Sequence, residues 1–189
     1  RNGRSAPYSH VLGYIGVIDE RIDLNLLNHL AAANPQWAIV MVGPVAKINE
    51  TLLPRQPNIH YVGRQPYQRL PEFLKAFDVC LMPFALNEAT TTISPTKTLE
   101  YMAAHKPIVS TPVPDVVANW RHIVRIAEDP VAFGTAVAAA LQETSLERSV
   151  RIRQEQTLLE NHTWDHIAAD MYRHICTALQ AKTAQARQP

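Results

Sequence analysis

The chain has 189 residues, 47% of them apolar, enough for one buried core and so for one domain. Its 18 Lys and Arg against 17 Asp and Glu leave a formal charge of +1, so the overall balance selects neither nucleic acid nor an anionic membrane, and any basic site must be local. Two cysteines make no disulfide framework, and no apolar run approaches membrane-spanning length. The chain opens at Arg1 without a methionine or a signal peptide and is expected to be a piece of a longer cytoplasmic protein.

Residues 1–9, polar and carrying Gly3 and Pro7, read as a linker. His10–Val17 is a β-rich run, after which Asp23 caps a helix whose Leu24, Leu27 and Leu30 recur at helical spacing up to Asn34-Pro35. Trp37–Val42 and Asn58–Val62 read as strands closed by Gly43 and Gly63. Tyr67–Phe77 predicts a short helix with Leu70, Phe73 and Leu74 inward, and Asp78–Met82 a fourth strand. Thr96–Ala104 and Ile108–Ser110 add a helix and a fifth strand, Asp115–Trp120 a short helix, and His122–Ala127 a sixth strand. Asp129 caps an alanine-rich helix to about Glu143, and from about Ser145 the composition turns to charged helices, Arg151–Glu160 and Trp164–Lys182. Strands alternating with helices predict an α/β fold, a parallel sheet of about six strands with helices on both faces.

In such sheets ligands gather at the carboxyl ends of the strands. That selects the loops Gly16–Asp23, Gly43–Lys47, Gly63–Tyr67, Pro83–Thr96 and Thr111–Asp115. Gly43 and Gly63 would let backbone approach a ligand, or would simply make tight turns. The richest stretch is Ser94-Pro95-Thr96-Lys97-Thr98-Leu99-Glu100-Tyr101-Met102-Ala103-Ala104. Ser94 suits an N-cap and Pro95 the first helical position, which leaves the N–H groups of Thr96 and Lys97 facing outward at the positive end of a helix dipole. At about 100° per residue, Thr96, Lys97 and Glu100 share one face, while Leu99, Met102 and Ala103 share another that packs. Lys97 can pair with phosphate charge, and Glu100, one turn deeper, can accept from both hydroxyls of a ribose. The same residues also read as a solvated helix face behind a simple cap.

This stretch, with Lys106-Pro107-Ile108-Val109-Ser110-Thr111, resembles the donor-site signature of retaining glycosyltransferases of the GT-B fold, family four. There the segment reads acidic residue, seven residues, glutamate, then Ala-Met-Ala-Ala-Gly-x-Pro-Val-Val. The resemblance implies a Rossmann-like nucleotide-sugar-binding domain over residues 10–144, with residues 145–189 as helices packed on it. It makes Glu100 the residue that holds the ribose. The family's first acidic residue falls at Thr92, so Asn87, Glu88 and Thr92 are the candidates for contact with the donor sugar. In the first loop, Gly16 matches the family's glycine and Arg21 its lysine, but Val17 stands where an arginine is usual. Arg64 and Gln65 fall where the family's backbone packs on the nucleobase, and Ser94, Pro95 and Thr96 form the phosphate end of the helix.

The activity so implied is transfer of a sugar, expected to be a hexose, from a nucleoside diphosphate to an acceptor with retention, in polysaccharide biosynthesis. Arg21, Lys97 and the helix start at Thr96 would hold the leaving diphosphate without a metal ion or other cofactor. The partner implied is a nucleotide sugar, together with a missing N-terminal acceptor domain, without which the fragment is expected to be inactive. Nucleic acid is not expected, and peripheral membrane association would run through the missing half. Two alternatives stand beside this: half of a nucleotide-sugar epimerase, and a non-catalytic nucleotide-binding module, for which the departures at Val17 and Thr92 speak.

The remaining motifs are weaker. Gly13 to Gly16 is a lone Gly-x-x-Gly with no Gly-x-Gly-x-x-Gly, and no Walker loop or Gly-x-Ser-x-Gly elbow occurs. His162 and His166, with Asp165, Asp170 and His174, have the spacing of half a zinc site but more readily make a polar helix face. Trp164, Ile167 and Met171 read as core or interdomain packing, and His105 stands where the family has glycine.

Overall fold

Runs such as Trp37–Val42 offer no polar face to water, so strands of this kind need cover on both sides. In the computed structural model, which describes residues 8–185, they form one sheet: β1 (His10–Ile15), β2 (Trp37–Val42), β3 (Ile59–Gly63), β4 (Val79–Met82), β5 (Ile108–Ser110) and β6 (Arg125–Ile126). The spatial order is β3-β2-β1-β4-β5-β6 and every neighbouring pair is parallel. The helices are α1 (Leu24–Ala33), α2 (Leu70–Ala76), α3 (Glu88–Thr91), α4 (Lys97–Ala103), α5 (Pro114–Trp120), α6 (Pro130–Leu141), α7 (Ser145–Asn161) and α8 (Trp164–Gln185). Among them α1 packs on α6 and α4 on α7. Because β2 and β3 lie on one side of β1 and β4, β5 and β6 on the other, the strand order reverses between β1 and β4, and the carboxyl ends of these two strands mark the crevice at which sheets of this kind place ligands.

Local chemistry sets several of these elements. Asp23 accepts from the Leu26 N–H and Asp129 from the Ala132 N–H, each starting its helix as expected. Thr144 and Glu147 form a capping box that starts α7 at Ser145. Gly13, in the middle of β1, is there for packing: a Cβ would lie 2.0 Å from the Phe77 ring.

The structure shifts some expected boundaries. β1 ends at Ile15, not Val17, because the chain turns at Gly16, and β6 keeps two residues of the expected six because only these pair with β5. The stretch before Leu70 is a 3-10 turn, Tyr67–Arg69. α3 was not expected: four residues are too few for a periodic signal. Helix α4 starts at Lys97, and Ser94 does not cap it, since its hydroxyl donates to Asp115 Oδ2 at 3.1 Å. The buried face of α4 is Thr98, Tyr101 and Met102, with Ala103 exposed, because the residue that packs deepest is a tyrosine whose hydroxyl accepts from the Ile15 N–H. Of the expected linker, residues 1–7 lie outside the described residues, whereas the Ser9 N–H already donates to Gln36 O at 2.8 Å.

Helix α7 is fastened by a buried charge cluster. Arg151 bonds both Glu143 oxygens at 2.7 Å and Glu155 Oε1 at 2.7 Å, and His105 Nδ1 is 3.2 Å from Glu155 Oε2. His105, just past the end of α4, holds φ +52°, a conformation that favours glycine. Burial pushes the Glu155 carboxyl above its ordinary range, against the opposing pull of Arg151 and His105.

Candidate functional site

The loop after β1 is stitched to its neighbours on both sides. The Ile18 N–H donates to Pro44 O and the Ala46 N–H returns to Ile18 O, while Asp23 N donates to Pro83 O and Ala85 N to Arg21 O. Between these seams Gly16 and Gly43 touch: a Cβ on Gly43 would lie 1.9 Å from the Gly16 carbonyl oxygen, and Gly43 holds φ +148°. A side chain fits at neither place, so the floor of the crevice is bare backbone.

Lys97, in the first turn of α4, reaches across this floor. A Cβ on Gly16 would lie 2.3 Å from Lys97 Cε, and Lys97 Nζ stands 5.6 Å from the centre of the Tyr14 ring, a cation–π distance. Tyr14 is held in turn by its hydroxyl, which donates to Val17 O at 3.0 Å, and by an edge contact with Phe84. Among the described residues Lys97 enters no salt bridge. Burial lowers its pKa below the ordinary lysine value, the nearby Arg21 charge adds to this, and Glu100 and Asp19 oppose it. A half-buried ammonium with no salt bridge among the described residues, beside glycine backbone at a strand-order reversal, is an arrangement that can take up an anion.

Arg21 lies at the same crevice, but its guanidinium is engaged: Nε and Nη2 bond Asp19 at 2.6 to 3.1 Å. Asp19 is 2% exposed. Burial acts against its charge, yet the bonds and charge of Arg21 outweigh burial and hold the carboxyl below its ordinary value. Asp19, Tyr14 and Tyr101 were not singled out from the sequence; the signal for Asp19 was an acid two residues before the cation of a strand-end loop.

The other expected residues fall in four separate places. Glu100, exposed one turn below Lys97, lines a groove of about 430 Å³ with Pro71, Leu74, Lys75, Ala103 and Lys106, between α2 and α4. Arg64 and Gln65 line a separate shallow hollow with Pro66 and Tyr67 beyond β3, where the Gln65 amide donates to Val62 O at 3.3 Å. Asn87 donates from Nδ2 to Glu20 O at 2.9 Å and so ties α3 to the first loop, while Glu88 and Thr92 are exposed at the two ends of α3. Thr96 and Pro95 accept backbone bonds of the first α4 turn from Leu99, Glu100 and Thr98.

A groove of about 670 Å³ lies away from this crevice, at the amino ends of β5 and β6 beside α7. His162 Nδ1 lies 2.7 Å from Leu158 O with its ring against Trp120, and His166 Nδ1 lies 3.1 Å from Thr163 Oγ1. Trp164 and Met171, one of the readings for which was core, are 83% and 60% exposed.

Residues 9–143 match the family described as Glycosyl transferases group 1. The chain is 31% identical over 107 residues to TuaH of Bacillus subtilis (strain 168), named as a teichuronic acid biosynthesis glycosyltransferase, covering 55% of this chain and 27% of TuaH. Its fold is similar to that of WaaG, a glycosyltransferase involved in lipopolysaccharide biosynthesis (TM-score 0.59, 20% identity, 85% of this chain and 45% of WaaG). It is similar also to Anabaena Alr3699/HepE in complex with UDP and glucose (TM-score 0.63, 16% identity, 90% of this chain and 48% of HepE). At these identities the structures speak for the fold, a Rossmann-like sheet of the GT-B kind, as expected. The chain spans less than half the length of each of these relatives.

Proposed function

Because the chain belongs to the glycosyl transferases group 1 family, we propose that it is the donor-binding, C-terminal part of a cytoplasmic glycosyltransferase that moves a hexose from a nucleoside-diphosphate sugar to an acceptor with retention. The observation that carries this reading is Lys97: an ammonium with no salt bridge among the described residues, over the backbone of Gly16, at the reversal of strand order. A diphosphate set there would meet Lys97 and Arg21 as its charge grows on departure of the sugar, and fixed cations aimed at developing charge lower the barrier without a metal ion. The nucleoside would run down the groove between α2 and α4, where Glu100 can accept from the two ribose hydroxyls. UDP is the first ligand to try, since HepE is described with UDP and glucose.

A second domain would complete the enzyme. Trp164, Ile167, Met171 and Ile175 follow one another at helical spacing along α8, all exposed, as a stripe an acceptor domain would cover. A non-catalytic nucleotide-binding module is the second reading, favoured by Val17 where the family places a cation.

Titration calorimetry of the chain with UDP, GDP and ADP tests the proposal. One of them should bind, unaffected by a chelator, and more tightly than its 2′-deoxy form. Glu100→Ala should cost about 1.5–3 kcal/mol of that affinity and erase the ribose preference. Silence across the three nucleotides would refute the donor-site reading, and an undiminished ribose preference in Glu100→Ala would remove Glu100 from it. Sugar transfer by the full-length protein separates the enzyme from the module.

A further inference from the structure

Within the donor-site reading, on which this inference rests, we propose that Asp19 is a positioning residue: its buried carboxylate holds the Nε and Nη2 edge of Arg21, so that the Nη1 side of the guanidinium is presented to the diphosphate. The backbone of this loop is fixed by the seams to Pro44, Ala46, Pro83 and Ala85, but those seams leave the long Arg21 side chain its rotamers. Asp19 removes that freedom. It accepts from Arg21 Nη2 at 2.6 Å, from Nε at 2.9 and 3.1 Å, and from the Arg21 backbone N–H at 3.1 Å, which ties the side chain to its own loop.

The two ends of the pair differ in exposure. The Asp19 side chain is 3% exposed and that of Arg21 37%, so the acid faces inward and the cation keeps an open side. A guanidinium has five N–H donors, of which the carboxylate uses the Nε edge and one Nη2 position, leaving the Nη1 end available. The pair is therefore unlike an exposed ion pair, which holds two mobile side chains for little net gain. It converts a flexible cation into a fixed one before the ligand arrives, and a group ordered in advance costs less to order on binding.

The arrangement has an alternative reading with the opposite sign. If Asp19 were only a neighbouring negative charge, it would repel a diphosphate, and Asp19→Asn would tighten UDP binding. If it positions Arg21, Asp19→Asn should weaken UDP, because the neutral amide keeps one acceptor and loses the charge and the two-point grip. The expected loss is roughly 2- to 13-fold, the cost of immobilising one side chain on binding. Uridine, which carries no phosphate, should bind Asp19→Asn and wild type alike.

The experiment is a double-mutant cycle on the 189-residue chain: wild type, Asp19→Asn, Arg21→Ala and the double variant, titrated with UDP and with uridine, with a melting curve for each. The proposal expects Asp19→Asn to weaken UDP in the wild-type background and to have no effect once Arg21 is alanine. The ligand-free wild type should also show a slowly exchanging Arg21 Nε–H resonance that Asp19→Asn loses. Equal or tighter UDP binding by Asp19→Asn overturns the proposal, as does a loss of the same size in the Arg21→Ala background, which would mark a role in the fold alone. If wild type binds none of UDP, GDP and ADP, the donor-site reading itself fails, whereas binding by wild type with no Asp19 effect refutes this inference only.

Discussion

Replacing Lys97 by methionine separates ligand binding from stability. Methionine keeps an unbranched stem against Gly16 and the Tyr14 ring but carries no charge. Loss of the cation–π contact costs about 0.5–1 kcal/mol, and removal of a half-buried ammonium, whose pKa burial lowers, gives a return of opposite sign. The two nearly cancel, so stability should change by less than about 1 kcal/mol, or about 2–4 °C in Tm for a chain of this length. UDP, by contrast, loses one charge-assisted hydrogen bond of about 1.5–3 kcal/mol, a weakening of roughly 13- to 160-fold. In wild type the same affinity should decline as pH rises through the pKa of Lys97, which lies below the ordinary 10.5. Calorimetry with UDP and uridine, beside a thermal melt, reads all of this. If Lys97→Met weakens uridine as much as UDP, or melts more than about 5 °C lower, Lys97 supports the fold and the anion-site argument fails.

Gly43→Ala must displace the Gly16 carbonyl and hold a positive φ, and should cost roughly 2–5 kcal/mol in urea unfolding. Gly63→Ala meets no atom within 4 Å and carries only the φ of +74°, so an equal cost at both positions would refute crowding at the crevice floor. Glu155 has a folded-state pKa above its ordinary 4.5, so the folded state binds the extra proton and this group's contribution to stability rises as pH falls from neutrality toward 4.5. The Tm of wild type minus that of Glu155→Gln should therefore increase from pH 7 to pH 5, and a flat difference would show that the carboxyl is not shifted.

The strand runs, the caps at Asp23 and Asp129 and the alternation of strands with helices were legible in the sequence, because each is a local matter of periodicity or of one side chain and the nearest N–H groups. β2 and β5 fall on the expected residues, since a buried apolar run between turn signals carries its own limits. So too were the membership of a glycosyltransferase family and the loops at the strand ends, which follow from strand order once the sheet is parallel. Other features were not local. Ser94 reads as a cap until Asp115, 21 residues on, takes its hydroxyl. Gly13 reads only as part of a lone, weak Gly-x-x-Gly until the structure shows Phe77 filling the space that a side chain would need. Lys97 is a cation on a helix face in either view, and only the fold lays it over Tyr14 and Gly16. Arg21 and Asp19 are two residues apart, yet the pairing depends on a loop held from both sides by Pro44 and Pro83. The sequence by itself named the candidates for phosphate and ribose, because charge and helical spacing are local; the tertiary structure decided that Arg21 is paired with Asp19 while Lys97 makes no salt bridge among the described residues, because that depends on contacts between segments far apart in the chain.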